Sequence, residues 1–529
     1  MRYLWRTVTV ASLPTAPARR LRRLRVLIFH GYLLQGTGSN VYNANLAAAL
    51  VRAGHQVDLL SQDRDPFALD WVDAAGDWDG GELRVAVRRE PVRATVFRPD
   101  IGGVLPVYVA DTYDGVTARP FPELDAAEID AYVAANVRAV RDVCARARPD
   151  LALANHLVMG PLVLARALEG VPYAVKIHGS ALEYTVKPHP RFMPHARSGL
   201  AGARGILVGS RHTGESLWAA MDDPGLPPRT RLGPPGVDVE TFSPRDPVAA
   251  HAGVRSLARR LEATEPEGAG SFARDPAEGA RALDALDLEH DRLVVFVGKL
   301  IGSKGVELLL AAWPLVLAAE SSARLVIVGF GGMGDGLRSL AAALAAGDLE
   351  AARAIRGEDG RELVHLGAFL DGLEGDAARA YREAARALAD RVLWTGRLDH
   401  RELVDLLPAA EAMVVPSTFP EAFGMVAAEA AACGVLPVVA AHSGLAEVAQ
   451  ALADAVPQAA RPLLSFPVGP TAVTELADAV IGWLQATPEL RRATREAIVT
   501  VTREKWSWDG VARGVLAAAQ GDLDQLPHP

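Results

Sequence analysis

The sequence predicts an α/β protein built from two doubly wound, Rossmann-like halves. In both halves, short apolar runs of the length of buried strands alternate with stretches of helical periodicity. The chain has 529 residues, of which half are hydrophobic and 22% are charged, so each half can bury a core of its own. Repeated alternation of strand and helix is typical of parallel sheets with helices on both faces. Such sheets bind ligands at the carboxyl ends of their strands.

Composition excludes several other classes of protein. The formal net charge of −9 argues against a nucleic-acid binder held by bulk positive charge. Cys144 and Cys433 are the only cysteines and lie far apart, so no disulfide framework is predicted and a reducing cytoplasm fits. The longest apolar window, 423–441, is interrupted by a glutamate, a glycine and a proline, which favours core over a membrane span. We expect a cytoplasmic protein.

The first 25 residues carry seven arginines and no acidic residue. Their apolar part, TVTVASLPTA, is weak and precedes most of the arginines, so a secretory signal is not predicted. We interpret residues 1–24 as a disordered tail. Two alternatives are a weak contact of these arginines with the surface of the inner membrane and a stretch upstream of the true start.

The first half begins with predicted strands at 25–29 and 56–60, separated by a helix. The loop before this helix reads GTGSN, in which Gly36 and Gly38 begin a nucleotide-binding fingerprint, but Val41 stands where the third glycine belongs. The loop is therefore weak support for a dinucleotide site. It remains a place where the backbone can come close to a ligand.

Three histidines follow predicted strands of the first half, where parallel sheets present ligand-binding groups. They are His30, His156 and His178. For His156 we predict a structural hydrogen bond, and His30 belongs to no motif. His178 lies in the sequence KIHGS, whose meaning depends on a resemblance described below.

A compositional break separates the halves. Residues 246–291 are rich in Ala, Arg, Glu and Gly with little strand signal, which indicates a helical or mobile insertion. The second half opens with an apolar strand at 293–297. We divide the chain into a basic tail (1–24), a first Rossmann-like domain (25–245), a junction insertion (246–291), a second Rossmann-like domain with a helical insertion at about 341–390 (292–505), and a C-terminal helix and tail (506–529).

Two lysines follow the first strand of the second half. Of 55 lysines and arginines only five are lysine, yet Lys299 and Lys304 share the loop GKLIGSKG before a helix that starts near Val306. Lysine supplies a compact point charge that suits phosphate, and a helix N-terminus adds to it. The pair therefore predicts an anion site.

A pair of glutamates lies in the tract VVPSTFPEAFGMVAAEAAACG. Glu421 precedes a predicted helix, and Glu429 falls about one turn inside it on a face otherwise made of alanine. A carboxylate among alanines is costly unless a polar group meets it, and ribose hydroxyls would serve. The backbone N–H groups of Phe423, Gly424 and Met425 at the helix start favour an anion such as a diphosphate. The alternative is a helix cap and a solvated glutamate.

A glycine motif in the second half is a less favoured site. Gly329, Gly331 and Gly334 follow a predicted strand with dinucleotide-binding spacing. The acidic residues at the expected distance, Asp348 and Glu350, lie in an alanine-rich helical stretch rather than at the end of the next strand. Dinucleotide binding is therefore not favoured here.

The glutamate tract resembles the Glu-x7-Glu signature of family-4 retaining glycosyltransferases of the GT-B fold. Phe-Gly-Met follows Glu421, and Ala-Cys-Gly follows Glu429, as in that family. KIHGS resembles the family's histidine-glycine, and the two lysines match its basic pair with Lys299 in place of arginine. PPGVDVETFSP resembles its domain-crossing segment with Pro235 where asparagine is usual. The resemblance covers most of residues 25–520.

The resemblance implies two Rossmann-like domains that face a cleft. The second would bind a nucleotide-diphosphate sugar, and the first an acceptor with a hydroxyl group, such as a glycan, a lipid or a small molecule. The helix in WSWDGVARGVLAAA would cross back to the first domain. The reaction implied is hexosyl transfer with retention of configuration by same-face attack, without a metal and with no cofactor besides the sugar nucleotide.

The resemblance also assigns roles to individual residues. Glu429 would hold the ribose, Lys299 and Lys304 the diphosphate, and Glu421 the donor sugar with the backbone of Phe423, Gly424 and Met425. His178 would support that sugar from the first domain. The loop of Gly36 and Gly38 would approach the sugar diphosphate, and the backbone near Leu398 would face the base.

Three alternatives stay open. A metal-dependent transferase of the GT-A type would use Asp77 and Asp79, although DAAGDWDG is predicted to be a polar loop. A sugar-nucleotide epimerase or hydrolase of GT-B shape would bind the same donor. A non-catalytic partner protein would keep the fold but not the intact charge pairs.

Overall fold

A computed structural model describes residues 23–35, 38–108, 116–266 and 274–529. The basic tail up to residue 22 and Gly36 lie outside the described residues. Within the described ranges, no helix is both long and apolar enough to cross a membrane.

The first half contains a nine-stranded sheet and a separate two-stranded ribbon. Each strand of the large sheet pairs in parallel with its neighbours, except for the antiparallel pair at one edge, β3 and β4. The spatial order is β11-β10-β9-β8-β1-β2-β5-β3-β4, and β6 pairs with β7. The strands are β1 (Arg25–Phe29), β2 (Gln56–Leu60), β3 (Ala74–Asp79), β4 (Glu82–Val87), β5 (Ala94–Arg98), β6 (Val104–Val107), β7 (Thr117–Pro120), β8 (Leu151–Asn155), β9 (Tyr173–Lys176), β10 (Gly205–Val208) and β11 (Thr230–Leu232).

The second half contains a six-stranded parallel sheet in the order β14-β13-β12-β15-β16-β17. Its longest pairing joins β12 and β13 over eight residues, from Arg292 opposite Ala323 to Lys299 opposite Phe330. The strands are β12 (Arg292–Lys299), β13 (Ala323–Phe330), β14 (Val392–Gly396), β15 (Ala412–Val415), β16 (Leu436–Ala440) and β17 (Ser465–Phe466).

Helices follow most strands and cover both sheets, as βαβ connections require. Many begin with a capping side chain; Asp125 and Glu128, for example, form a reciprocal capping box at the start of α2. The helices are α1 (Gly38–Arg52), α2 (Ala126–Ala147), α3 (Gly160–Ala167), α4 (Met193–Ala201), α5 (Arg211–Met221), α6 (Pro247–Glu262), α7 (Pro276–Asp284), α8 (Val306–Ala319), α9 (Gly334–Ala345), α10 (Leu349–Ala354), α11 (Val364–Asp371), α12 (Gly375–Ala385), α13 (Leu388–Arg391), α14 (Leu403–Leu406), α15 (Met425–Ala432), α16 (Ser443–Ala453), α17 (Ala472–Leu484), α18 (Pro488–Lys505) and α19 (Trp508–Gln520).

The apolar residues of each half form their own cores. The first sheet is covered on both faces by separate apolar clusters, and one large cluster fills the second half. In the second half, α8 packs against α17, and their side chains Trp313 and Trp483 are fully buried. The predicted fold class, two Rossmann-like domains with parallel sheets, is confirmed.

The C-terminal helix α19 leaves the second half and packs on the first. It contacts α1 and the strands β8, β9 and β10, so the chain ends on the domain where it began. Beside the point of crossing, Val237 donates its backbone N–H to the carbonyl of Trp506.

Two stretches that have little strand signal in the sequence form regular secondary structure. DAAGDWDG contains strand β3 and its turn into β4 rather than the polar loop we predicted, because its alternate residues pack toward Phe97 on the neighbouring strand. The junction after residue 245 contains two regular helices, α6 and α7, which pack against each other.

Candidate active site

The predicted site residues gather where the strand order of each sheet reverses. In the second sheet, β12 lies between β13 and β15, so the loops after β12 and β15 leave in opposite directions and open a crevice. In the first sheet, the same reversal occurs at β1, between β2 and β8. These two carboxyl-terminal edges carry the lysines and glutamates of one half and the histidines of the other.

Lys304 and Glu421 form an ion pair between the loops after β12 and β15. Ser417 also donates its hydroxyl to Oε1 of Glu421, at 2.7 Å, and the Glu421 backbone N–H donates to Oγ of Ser443 at 2.9 Å. Burial raises the pKa of the Glu421 carboxyl, but Lys304 and Ser417 outweigh it, so the pKa lies below its ordinary value. Glu421 is therefore a held, ionised carboxylate.

Each of these two loops has a position that requires glycine. Gly305 has a φ of +64°, and a Cβ there would lie 2.0 Å from the carbonyl oxygen of Pro416. Gly424, which precedes α15, has a φ of +100°, and its Cβ would lie 2.4 Å from Leu445. The close approach at Gly305 brings the loop of Lys304 against the loop of Glu421.

His442 contacts the two serines that hydrogen-bond to Glu421. Its Nε2 donates to the carbonyl of Ser417 at 2.7 Å, and its Nδ1 lies 3.1 Å from Oγ of Ser443. Because a carbonyl oxygen only accepts, Nε2 carries a hydrogen. His442 thereby orients both serines that hold Glu421.

Glu429 is buried in α15, with only 3% of its surface exposed. Its Oε1 accepts a hydrogen bond of 2.8 Å from Nε2 of His400 in the loop after β14. Burial lowers the pKa of His400, but the negative charge of Glu429 outweighs it, so the pKa lies above the ordinary value of 6.5. Burial and the same carboxylate raise the pKa of the neighbouring Cys433 thiol to about 12.

The other predicted donor-site residues lie around this pair. Lys299 ends β12 and is half-buried, while Leu398 is buried and packs toward α7 at Gly279. Gly302, between the two lysines, donates its backbone N–H to Oε2 of Glu358 at 2.8 Å. Glu358 belongs to the segment that follows α9, so the helical insertion reaches the lysine loop.

On the opposite side, His178 ends a continuous line of buried polar side chains. Its Nε2 donates to Oδ1 of Asn155 at 2.7 Å, and Nδ2 of Asn155 donates to Oδ1 of Asn43 at 2.7 Å. Asn43 then donates to Nδ1 of His30, whose Nε2 donates to Oδ1 of Asn40, both at 3.1 Å. This line joins the ends of β1, β8 and β9 to the first turns of α1.

The imidazoles of this line are neutral. Burial lowers the pKa of His30 to about 4 and that of His178 well below 6.5. The structural hydrogen bond predicted for His156 is not made: among the described residues neither of its ring nitrogens has a hydrogen-bond partner. Its ring instead packs against Tyr108, with 4.4 Å between the centroids, because the residue turns with a φ of +66°.

The two sides approach each other at Glu421. A Cβ on Gly179, next to His178, would lie 3.3 Å from the Cβ of Ala422. Glu447 of α16 accepts hydrogen bonds from the backbone N–H groups of Arg211 and His212 at the start of α5, at 2.8 and 3.1 Å. The two domains therefore contact each other beside Glu421 and His178.

Comparisons with known proteins agree with this architecture. Residues 284–498 match the family model described as glycosyl transferases group 1, and residues 37–232 match the model described as glycosyl transferase 4-like domain. The chain is a family-4 glycosyltransferase of the GT-B fold.

Curated relatives of this glycosyltransferase match along much of its length. A D-inositol 3-phosphate glycosyltransferase of Segniliparus rotundus is 26% identical over 98% of this chain and 93% of its own. A D-inositol 3-phosphate glycosyltransferase of Frankia alni is 28% identical over 67% of this chain and 74% of its own. The chain is accordingly a transferase enzyme.

Solved structures share the fold of the glycosyltransferase at low sequence identity. Sucrose-phosphate synthase of Thermosynechococcus elongatus superposes with a TM-score of 0.56 at 19% identity, over 95% of this chain and 98% of its own. HepE of Anabaena, solved with UDP and glucose, superposes with a TM-score of 0.54 at 15% identity, over 95% of this chain and 100% of its own.

Sequence reasoning missed several side chains that contact the candidate site residues. His400, Ser417 and His442 carry no motif, and His30 was left without a role. One signal was present for His400, since a carboxylate buried among alanines needs a polar partner. Gly38 is the first residue of α1, and a Cβ there would meet no atom of the described residues within 4 Å.

Proposed function

We propose that this glycosyltransferase moves a sugar from a nucleotide-diphosphate sugar to a hydroxyl group, with retention of configuration and without a divalent metal. The observation that carries the proposal is the pair of Lys304 and Glu421 where the second sheet reverses its strand order, with His178 across the cleft. The Lys304 cation suits a phosphate, and the Glu421 carboxylate suits sugar hydroxyls. The neutral imidazole of His178 suits a sugar ring.

The donor binds mainly to the second domain. Glu429 accepts hydrogen bonds from the ribose hydroxyls, and Lys299 and Lys304 hold the diphosphate. An ammonium group has three donors, so Lys304 can keep its bond to Glu421 and still donate to a phosphate oxygen. Glu421 and the backbone at Phe423, Gly424 and Met425 then hold the sugar. HepE was solved with UDP and glucose, and a fold neighbour from Arabidopsis thaliana with ADP, which supports a sugar nucleotide as the donor class.

The acceptor hydroxyl attacks the anomeric carbon from the face that the diphosphate leaves. The bond between that carbon and the phosphate oxygen breaks, a bond to the acceptor oxygen forms, and the acceptor proton passes to the departing phosphate. Positive charge that develops on the sugar is stabilised by the ionised Glu421, and negative charge on the diphosphate by the lysines. Because attack and departure share one face, the anomeric configuration is retained.

The chain's own charges support a reaction without a divalent metal. Lysine charge and a helix N-terminus occupy the position where a metal would neutralise the diphosphate. The alternative metal ligands Asp77 and Asp79 lie on β3, where each pairs with an arginine, Arg98 and Arg84 respectively. An ion would have to replace both partners.

A donor screen tests the proposal first. Thermal unfolding of the purified chain is measured with ADP-, GDP- and UDP-sugars, and a ligand of the folded state raises the unfolding temperature. The stabilising donor is then incubated with hydroxyl acceptors, with D-inositol 3-phosphate included because curated relatives carry it in their names. The anomeric configuration of the product is assigned by NMR, with excess EDTA present.

Each result has a defined meaning. Transfer with retention in EDTA supports the proposal. An inverted anomeric centre would refute retention, and activity lost in EDTA and restored by manganese would refute metal independence. Epimerised or hydrolysed sugar nucleotide at full rate without acceptor would favour the epimerase alternative.

A further inference from the structure

His400 contacts the carboxylate that we assign to the ribose. It lies in the loop after β14, whereas Glu429 lies in α15, so the hydrogen bond of 2.8 Å joins elements 29 residues apart. The imidazole also packs against Phe242 of the domain-crossing segment, with 5.0 Å between ring centroids. About a third of the His400 side chain is exposed, while Glu429 is buried beneath it. His400 therefore lies between the carboxylate and solvent.

Charged groups surround this imidazole on each element packed against it. Glu429 faces it from α15, Asp238 from the crossing segment, and Arg401 from its own loop. The thiol of Cys433, also near Glu429, stays protonated because burial and that carboxylate raise its pKa to about 12. The balance of these charges favours the imidazolium form.

We infer that His400 is a positioning residue that holds the Glu429 carboxylate in place for the nucleotide ribose, and that protonation of His400 makes nucleotide binding depend on pH. The inference rests on the proposed function, because it takes Glu429 as the ribose ligand. In this arrangement, Oε1 of Glu429 accepts from His400, and Oε2 is left to accept from the ribose hydroxyls.

The expected sign follows from the direction of the pKa shift. Below the raised pKa, His400 donates a charge-assisted hydrogen bond and compensates the buried charge of Glu429. As pH rises through that pKa, the neutral imidazole keeps a weaker bond, and the carboxylate is held less firmly. Nucleotide affinity is therefore highest at low pH and falls as His400 loses its proton.

Calorimetric titration of the full chain with UDP and GDP, from about pH 6 to 9, tests the inference. The terminal phosphate of the ligand titrates in part of this range, so the readout is the difference between wild type and variant. We expect His400→Gln, which keeps a donor without the charge, to match wild type at high pH and to lack about a tenfold gain in affinity at low pH. His400→Ala should bind more weakly at every pH.

His290→Gln is the matched control. His290 also donates to a carboxylate, Asp287, at 2.9 Å, but on an exposed surface of the junction. The His290→Gln variant should keep the wild-type pH dependence of nucleotide affinity.

Steady-state kinetics give a second readout. The KM for the donor should rise in His400→Gln with little change in kcat, and a loss of structure alone would not produce this pattern.

Two outcomes separate this inference from the proposed function. If Glu429→Gln weakens nucleotide binding while His400→Gln keeps the full wild-type pH dependence, the inference is overturned and the ribose role of Glu429 stands. If Glu429→Gln leaves nucleotide binding unchanged, the ribose role itself fails and the inference fails with it.

Discussion

The two sides of the cleft use opposite electrostatics. On the second domain, carboxylates are paired with cations: Glu421 with Lys304, and Glu429 with a histidine whose pKa is raised. On the first domain, buried histidines are neutral and joined through asparagine side chains, with lowered pKa values. An ionised side suits a charged nucleotide, and a neutral side suits a sugar and an uncharged hydroxyl. Under the proposed function, this difference assigns the charge of the ligand mainly to the second domain.

The largest effect should come from the ionised side. We expect Lys304→Ala to lower kcat/KM by about a hundredfold or more, because the leaving diphosphate loses one of the two lysines assigned to it and Glu421 loses its partner. Steady-state kinetics against the control Lys187→Ala measure it, since Lys187 pairs with Glu183 on the surface of the first domain. An equal loss of kcat/KM in Lys304→Ala and Lys187→Ala would show that the ionised side of the cleft has no special role.

The next largest effect should be a difference between the variants of the two glutamates. Glu429→Gln should weaken donor and free nucleoside diphosphate alike, by about ten- to a hundredfold, because both carry the ribose. Glu421→Gln should leave nucleoside-diphosphate affinity nearly unchanged and lower turnover, since the proposed function assigns Glu421 to the donor sugar and not to the nucleotide. Calorimetry beside rate measurements decides this. Equal loss of nucleotide affinity in both variants would contradict the assigned roles.

The neutral histidines of the first domain should make the free energy of unfolding depend on pH in acid. The pKa of His30 is about 4 and those of His156 and His178 are well below 6.5, so these residues bind protons in the unfolded chain but not in the folded one. The free energy of unfolding should therefore fall as pH drops below about 6.5, by up to about 1.4 kcal/mol per pH unit for each histidine. Denaturant unfolding of wild type and His30→Asn measures it.

His400 should contribute with the opposite sign, because its stabilisation is complete at low pH and is lost as pH rises through its raised pKa. An acid slope that is unchanged in His30→Asn would show that the neutral line does not carry the effect.

The smallest effect concerns two aromatic side chains at the mouth of the cleft. Tyr184 and Phe419 are 42% and 37% exposed and stack across the cleft, with 5.6 Å between ring centroids. We expect Tyr184→Ala and Phe419→Ala each to change acceptor KM about two- to fivefold, with a coupling of about 1 kcal/mol in a double-mutant cycle. Val87→Ala, at an exposed residue of β4, is the control. Additive effects would mean that the stack does not join the domains.

Much of the fold and part of the site followed from local patterns. Strand and helix periodicity predicted two doubly wound domains, since that signal lies within windows of about ten residues. The rarity of lysine singled out Lys299 and Lys304, and a carboxylate among alanines singled out Glu429. Spacing placed Glu421 before a helix, where the structure has it.

Local pattern failed where a distant residue decides the environment. DAAGDWDG looks polar, yet Gly76 packs on Phe97 of a neighbouring strand and the segment pairs as β3. The role of the insertion after α9 was equally hidden. Its Glu358 reaches the N–H of Gly302 across 56 residues of sequence.

The sequence by itself determined the fold class, the family signature and the residues that carry charge at the cleft. Only the tertiary structure decided their partners: Lys304 meets Glu421 across 117 residues, and Asn155 joins Asn43 across 112. Hydrogen bonds of this kind depend on which strand ends lie side by side in the sheets. Periodicity along the chain specifies that a strand exists and which face is buried, but not which neighbour it will have.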